Sequence, residues 1–267
     1  MKQDIVKTLS KKVEKDIDFY LKEFESPIRK DSWTSHSYDL LHLGHLRLVQ
    51  NRIDDAKKEF KKGIDIMLKD GKIRNDMVHG LKNDPDIPFY AYLAGKRDMA
   101  EPFIEQYLQY QIETGEAKKP RDWNPLSELN KLVYFTILGD EKRISESMDT
   151  IHNYHNFIYF DSEHIPVKKF PRKPPYVPPS SYGYAIYGYE LVKAIRDKNN
   201  VLFSDNIGYY TTQMLGLLKR TDHPEALAEL ILIILYDLAL GAGLRPKINT
   251  PLIPKSIIEN GYWNKPS

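Results

Sequence analysis

The chain has 267 residues, 41% hydrophobic and 28% charged, with a formal net charge of +2 and no cysteine. That is enough apolar chain for a large core, and too little net charge to mark a nucleic-acid or membrane surface. Disulfides and thiolate zinc sites are excluded outright.

The N-terminal stretch "MKQDIVKTLSKKVEKDIDFYLKEF" has helical period and lacks the apolar core of a signal peptide. A second helix is predicted in "SHSYDLLHLGHLRLV", and a third in "DDAKKEFKKGIDIMLKDG". In the third, Ala56, Phe60, Gly63, Ile64, Met67 and Leu68 recur on one face. Asp54 is placed to cap its start and Gly71 to end it. Only a few residues around Asn51 join the two helices, so they read as a hairpin. The spacing of Leu43, Gly44, Ala56, Phe60 and Gly63 resembles a tetratricopeptide repeat, without that repeat's aromatic at the Arg47 position or its closing proline.

The turn "NRIDDA" has counterparts in "GKRDMA" from Gly95 and "GDEKRI" from Gly139, at intervals of 44 residues. Each is followed by its own apolar stripe: Ala100, Phe103, Ile104 and Tyr107 in the second copy, and Ile144, Met148 and Ile151 in the third. Asn124 before Pro125 is a helix start for the third hairpin. The register then breaks in a segment with six prolines between Pro166 and Pro179, which excludes helix and central strand.

Helices resume at "YGYAIYGYELVKAIRD", with Tyr184, Tyr187, Leu191 and Ile195 on one face, and at "DNIGYYTTQMLGLLK". In the latter, Ile207, Tyr210, Met214, Leu217 and Leu218 align. "HPEALAELILIILYDLAL" is apolar nearly all round and should be the most buried helix, ended by Gly241 and Gly243. Glu229 and Asp237 interrupt it, and it falls short of the roughly 20 apolar residues of a membrane span. The tail "RPKINTPLIPKSII" reads as non-helical. Its Ile248, Leu252, Ile253, Ile257 and Ile258 need burial, so it should fold back along the stack and cover the terminal repeat.

The expected fold is therefore all-α, a single domain over residues 1–267. Residues 1–155 are repeated helical hairpins, 161–180 a proline-rich arm, and 181–267 C-terminal helices with an extended capping tail. A tetratricopeptide-like superhelix and a compact helical array both fit. The expected location is the cytoplasm, with no membrane contact.

Eight histidines raise the question of a metal. His42 and His45, like His152 and His155, stand three residues apart on a helix face, and two such pairs facing each other would bind one. Neither pair carries the glutamate of a zincin-type helix, and no cofactor or metal is expected. Nucleophile elbows and phosphate loops are missing, so the chain is not read as an enzyme. Asp54 and Asp55 belong to a helix dipole. Phe170 and Tyr176 cannot lie on a regular core face and are candidate partner-binding residues; Asp161 and Glu163 are candidate acidic contacts. Lys168, Lys169, Arg172 and Lys173 beside those aromatics are a weaker basis for nucleic-acid contact, and no direct nucleic-acid binding is expected.

The stretches "YAIYGYELVKAIRDKNNVLFSDNIGYYTTQML" and "ALAELILIILYDLALGAGLRPKINTPLIPKSII" resemble the C-terminal half of the immunity-protein-49 family. The matching positions are Leu240, Gly243 and Leu244, then Pro251, Pro254, Ile257 and Ile258. Members of that family are all-helical and are found beside toxin genes in bacterial polymorphic toxin systems. The resemblance implies a non-enzymatic inhibitor that occludes one cognate toxin domain, and such toxins are often nucleases. The alternatives are a tetratricopeptide-like adaptor or regulator, and a helical metalloenzyme built on His42, His45, His152 and His155.

Overall fold

A computed structural model describes residues 2–25, 33–69, 72–73, 84–113, 125–160, 181–218 and 228–263. Within them the protein is all-α: α1 (Lys2–Glu25), α2 (Trp33–Val49), α3 (Ile53–Met67), α4 (Ile87–Glu113), α5 (Pro125–Leu138), α6 (Glu141–Phe160), α7 (Ser181–Arg196), α8 (Asn200–Leu218), α9 (Leu230–Gly241) and α10 (Lys255–Asn260). A two-residue antiparallel ladder, Leu68–Lys69 with Lys72–Ile73, follows α3.

Four helical hairpins form the body: α2–α3, the two arms of α4, α5–α6 and α7–α8. Three of their turns are built alike. Asn51, Gly139 and Lys198 take positive φ of 61°, 66° and 50°. Each donates its N–H to the carbonyl three residues back, and the next residue donates five back: Asn51 to Leu48 and Arg52 to Arg47, Gly139 to Thr136 and Asp140 to Phe135, Lys198 to Ile195 and Asn199 to Ala194. This paired bonding satisfies the last carbonyls of the first helix. The same following residue then opens the second helix. Asp140 and Asn199 accept the backbone N–H of Arg143 and Leu202 on their side chains, each at 3.0 Å. Two residues thus end one helix and begin the next. The second hairpin turns differently, through Gly95 and Lys96, where Lys96 has φ 62° and ψ −154°.

The predicted stripes are the core. Ala56, Phe60, Ile64 and Met67, then Ala100, Phe103, Ile104 and Tyr107, then Ile144, Met148 and Ile151 are all buried. In the first hairpin the helices approach as closely as the small residues allow. A Cβ at Gly44 would lie 2.7 Å from the Phe60 ring, and one at Gly63 would lie 3.0 Å from the Ser37 carbonyl. α1 packs on α2 through a small separate cluster of Val13, Ile17, Leu43 and Leu46.

α9 explains how the array closes. Ten of its 12 residues are buried. It packs against α4, α5 and α7, the leading helices of the hairpins, and its entry is bonded to α2 through His45 and the Ala228 carbonyl. The inner face of the array is therefore filled by the chain's own most apolar helix. Gly243, with φ 87°, ends it in the same paired-bond turn.

No second helix follows that turn directly. The tail runs along α8, where Arg245 N–H donates to Asn200 Oδ1 at 2.6 Å, Lys247 N–H to Ser204 Oγ at 3.1 Å, and the Thr250 and Thr211 hydroxyls meet at 2.7 Å. It then crosses the head of α9, where Glu229 N–H donates to the Leu252 carbonyl, and reaches the first hairpin. There Ser256 donates its N–H and hydroxyl to Asn51 Oδ1.

Several expectations are corrected. The tail does more than cover the terminal repeat, because it joins the fourth hairpin to the first. Its end is helical: Pro254 stands immediately before α10, where a missing N–H costs nothing. α3 begins after Arg52, not Asp54, which lies in the first turn. It ends at Met67 because Leu68 turns extended and pairs with Ile73. Gly71, Asn124 and the 161–180 arm lie outside the described residues.

Candidate functional site

Polar side chains converge where α2, the start of α4 and the start of α9 meet. His45 of α2 is buried, its Nε2 2.7 Å from the Ala228 carbonyl and its Nδ1 3.0 Å from the Tyr90 hydroxyl. A carbonyl only accepts, so Nε2 carries a proton and donates it to Ala228. Both nitrogens are committed to protein groups. His42, one turn earlier, looks the other way and stacks on Tyr20 of α1 at 6.0 Å and 10°. Its Nδ1 is buried and meets no hydrogen-bond partner among the described residues. His152 and His155 lie on α6, whose backbone alone is described there. The alternative of a four-histidine metal site thus has His45 withdrawn from it, and no group of three metal-ligating side chains is assembled among the described residues.

Carboxylates gather beside these histidines. Asp84 accepts the Asp86 N–H at 2.9 Å, and the Asp86 carbonyl accepts from Phe89 and Tyr90, so Asp86 heads α4. The Tyr134 hydroxyl donates to the Pro85 carbonyl between them. Glu229 heads α9 and accepts the Leu232 N–H at 2.6 Å. Two helix N-termini thereby hold acidic caps close together, which the helix dipoles favour and mutual repulsion opposes. Asp86 is exposed as a residue. Desolvation of its carboxyl, then the Asp84 and Glu229 charges, push it up to about 7. Burial also raises Asp84, against the Asp86 N–H and His42, and raises Tyr38 to about 12 with help from Asp84.

The sign of the linkage follows. A carboxyl raised in the folded state binds its proton there more tightly than in the unfolded chain, so the contribution of Asp86 to stability rises as pH falls through about 7. Asp86→Asn keeps a capping side chain and removes the charge. Thermal melts at pH 8 and pH 5.5 should show a smaller pH dependence for the variant than for the wild type, and a higher melting temperature for the variant at pH 8. Parallel shifts in both proteins would show that Asp86 does not carry the effect.

No protein-family model, curated protein or solved structure matches this chain. The predicted partner-binding residues Asp161, Glu163, Phe170 and Tyr176 all fall in 161–180, outside the described residues, as do Lys168, Lys169, Arg172 and Lys173. By chain order that segment links the third hairpin to the fourth, between Phe160 of α6 and Ser181 of α7. No helix among the described residues is long and apolar enough to cross a membrane.

The Asp84–Asp86–Glu229 cluster is the feature that residue patterns underplayed. Its signal is the "NDPDIP" run, where an Asp–Pro–Asp turn precedes a helix.

Proposed function

We propose that this protein is an immunity-type inhibitor that binds a cognate bacterial toxin domain and occludes it. The observation favouring this over the adaptor reading is the position of α9. A helical-repeat adaptor takes an extended peptide on the concave face lined by the leading helices of its hairpins. Here α9 packs on those helices with ten of its 12 residues buried, so among the described residues it occupies that face. Among the described residues, the surfaces left for a partner are the outer helices and the turns, which suit a folded domain better than a peptide. The C-terminal resemblance implies the same function, although its positions Gly243, Leu244 and Ile257 serve the turn after α9 and the core.

In this reading the 161–180 arm contacts the toxin through Phe170 and Tyr176, with Asp161 and Glu163 meeting basic groups; a nuclease domain would offer such groups. Growth rescue tests it. Co-expression with the toxin domain encoded beside it should restore survival, and an unrelated helical protein should not. Phe170→Ala with Tyr176→Ala should lose protection while the melting temperature stays unchanged. Failure of the wild-type chain to protect against an active toxin domain would overturn the proposal for that domain.

A further inference from the structure

A stack of helical hairpins in which each touches only its neighbours is held by nearest-neighbour contacts, so one part can unfold while another stands. This chain breaks that condition twice. α9 is the first departure. It packs on α4, α5 and α7, and the Ala228 carbonyl just before it accepts the His45 proton from α2. One 12-residue helix and its entry thus meet all four hairpins, with ten of the 12 residues buried.

The strap, residues 245–263, is the second departure. Asn200, Ser204 and Thr211 bond its first stretch to α8, as described above. Past α10 it reaches the first two hairpins. Lys57 of α3 donates to the Tyr262 carbonyl at 2.7 Å, the Tyr262 hydroxyl to the Leu93 carbonyl at 2.9 Å, and the Trp263 indole N–H to the Tyr92 carbonyl at 3.1 Å. The fourth hairpin is thereby joined to the first by bonds that span 169 to 205 residues.

The core follows the same plan. Buried apolar residues of all four hairpins, α9 and the strap belong to one continuous cluster, which runs from Leu41 and Phe60 through Phe103, Val133 and Phe203 to Tyr262. The contact of α1 with α2 stands apart from it, through Val13, Ile17, Leu43 and Leu46.

We propose that the four hairpins, α9 and the strap unfold as a single cooperative unit, with α9 and the strap coupling hairpins that are not neighbours. In a simple stack the terminal hairpins fray first. Here, opening the first or the fourth would also break the strap and uncover leucine and isoleucine side chains of α9 on that side, a cost that fraying in a simple stack does not carry. A partner bound to any one hairpin therefore stabilises all four.

Hydrogen exchange of the full-length chain, followed by mass spectrometry over a series of low denaturant concentrations, tests this. The slowest-exchanging amides of each hairpin should share one opening free energy and one denaturant dependence. Ile144→Val removes one buried methylene from the third hairpin. It should speed the slowest amides of α3 and α8 by the same factor as those of α5 and α6, about three- to tenfold. Ile64→Val in α3 should reach the third and fourth hairpins equally. Acceleration confined to the substituted hairpin and its neighbours, or hairpins that open at separate denaturant concentrations, would overturn the proposal. Should neither substitution change exchange, the wild-type series decides alone: one shared opening supports the proposal and separate openings sink it.

Discussion

Asp237→Ala is expected to lower folding stability by about 3–5 kcal/mol, the cost of breaking a buried charged hydrogen-bond centre. Asp237 is 0% exposed in the middle of α9, surrounded by leucine and isoleucine. Both oxygens of this buried side chain are bonded, one to the Tyr92 hydroxyl and the other to the Trp263 N–H. Burial and the neighbouring carboxylate hold the Tyr92 phenol far above its usual range, so it remains a donor at every working pH. Truncation to alanine leaves that hydroxyl and the Trp263 N–H facing a hole. Asp237→Asn keeps one acceptor oxygen, and its cost should fall well below that of the alanine variant. The midpoint of urea unfolding, at constant slope, measures both. An alanine variant within about 1 kcal/mol of wild type would mean that water replaces the lost acceptor.

The same residue shows what was legible beforehand. An aspartate interrupting "LILIILYDLAL" marks a buried, partnered acid, but its partners lie 145 residues upstream and 26 downstream, beyond any local pattern. The stripes and the turns at Asn51 and Gly139 were legible because burial and positive φ leave local traces, helical spacing in one case and asparagine or glycine in the other. The turn at Lys198 leaves no such trace, since lysine is an uncommon occupant of that conformation; its signal is Asn199, which caps α8. The histidine pairs were ambiguous for a related reason. An i, i+3 spacing places His42 and His45 near one face, but the bond to Ala228 that decides the role of His45 spans 183 residues. α10 was hidden by Pro251 and Pro254, which forbid a helix through them and allow one directly after.

The packing of the first hairpin gives a prediction whose sign reverses with context. Alanine is favoured over glycine inside a helix by about 1 kcal/mol, so Gly44→Ala in α2 should stabilise if nothing opposes it. Here the new Cβ would stand 2.7 Å from two Phe60 ring carbons and 3.3 Å from the Ala56 carbonyl. The ring has nowhere to go. Phe60 is 0% exposed and packs on Tyr90 at 5.3 Å, and the Tyr90 hydroxyl is held by His45, itself anchored to the head of α9. Overpacking should therefore win, and Gly44→Ala is expected to destabilise by about 1–3 kcal/mol. Phe60→Ala alone should cost about 3–5 kcal/mol through lost burial and the cavity left behind. In the Phe60→Ala background the obstruction is gone, so adding Gly44→Ala should recover up to about 1 kcal/mol instead of losing more. Chemical denaturation of the four proteins in the cycle decides between the two. Additive penalties would mean that the helices separate to admit the methyl group while the ring stays fixed, and the close approach would then be set by the backbone instead of by Phe60.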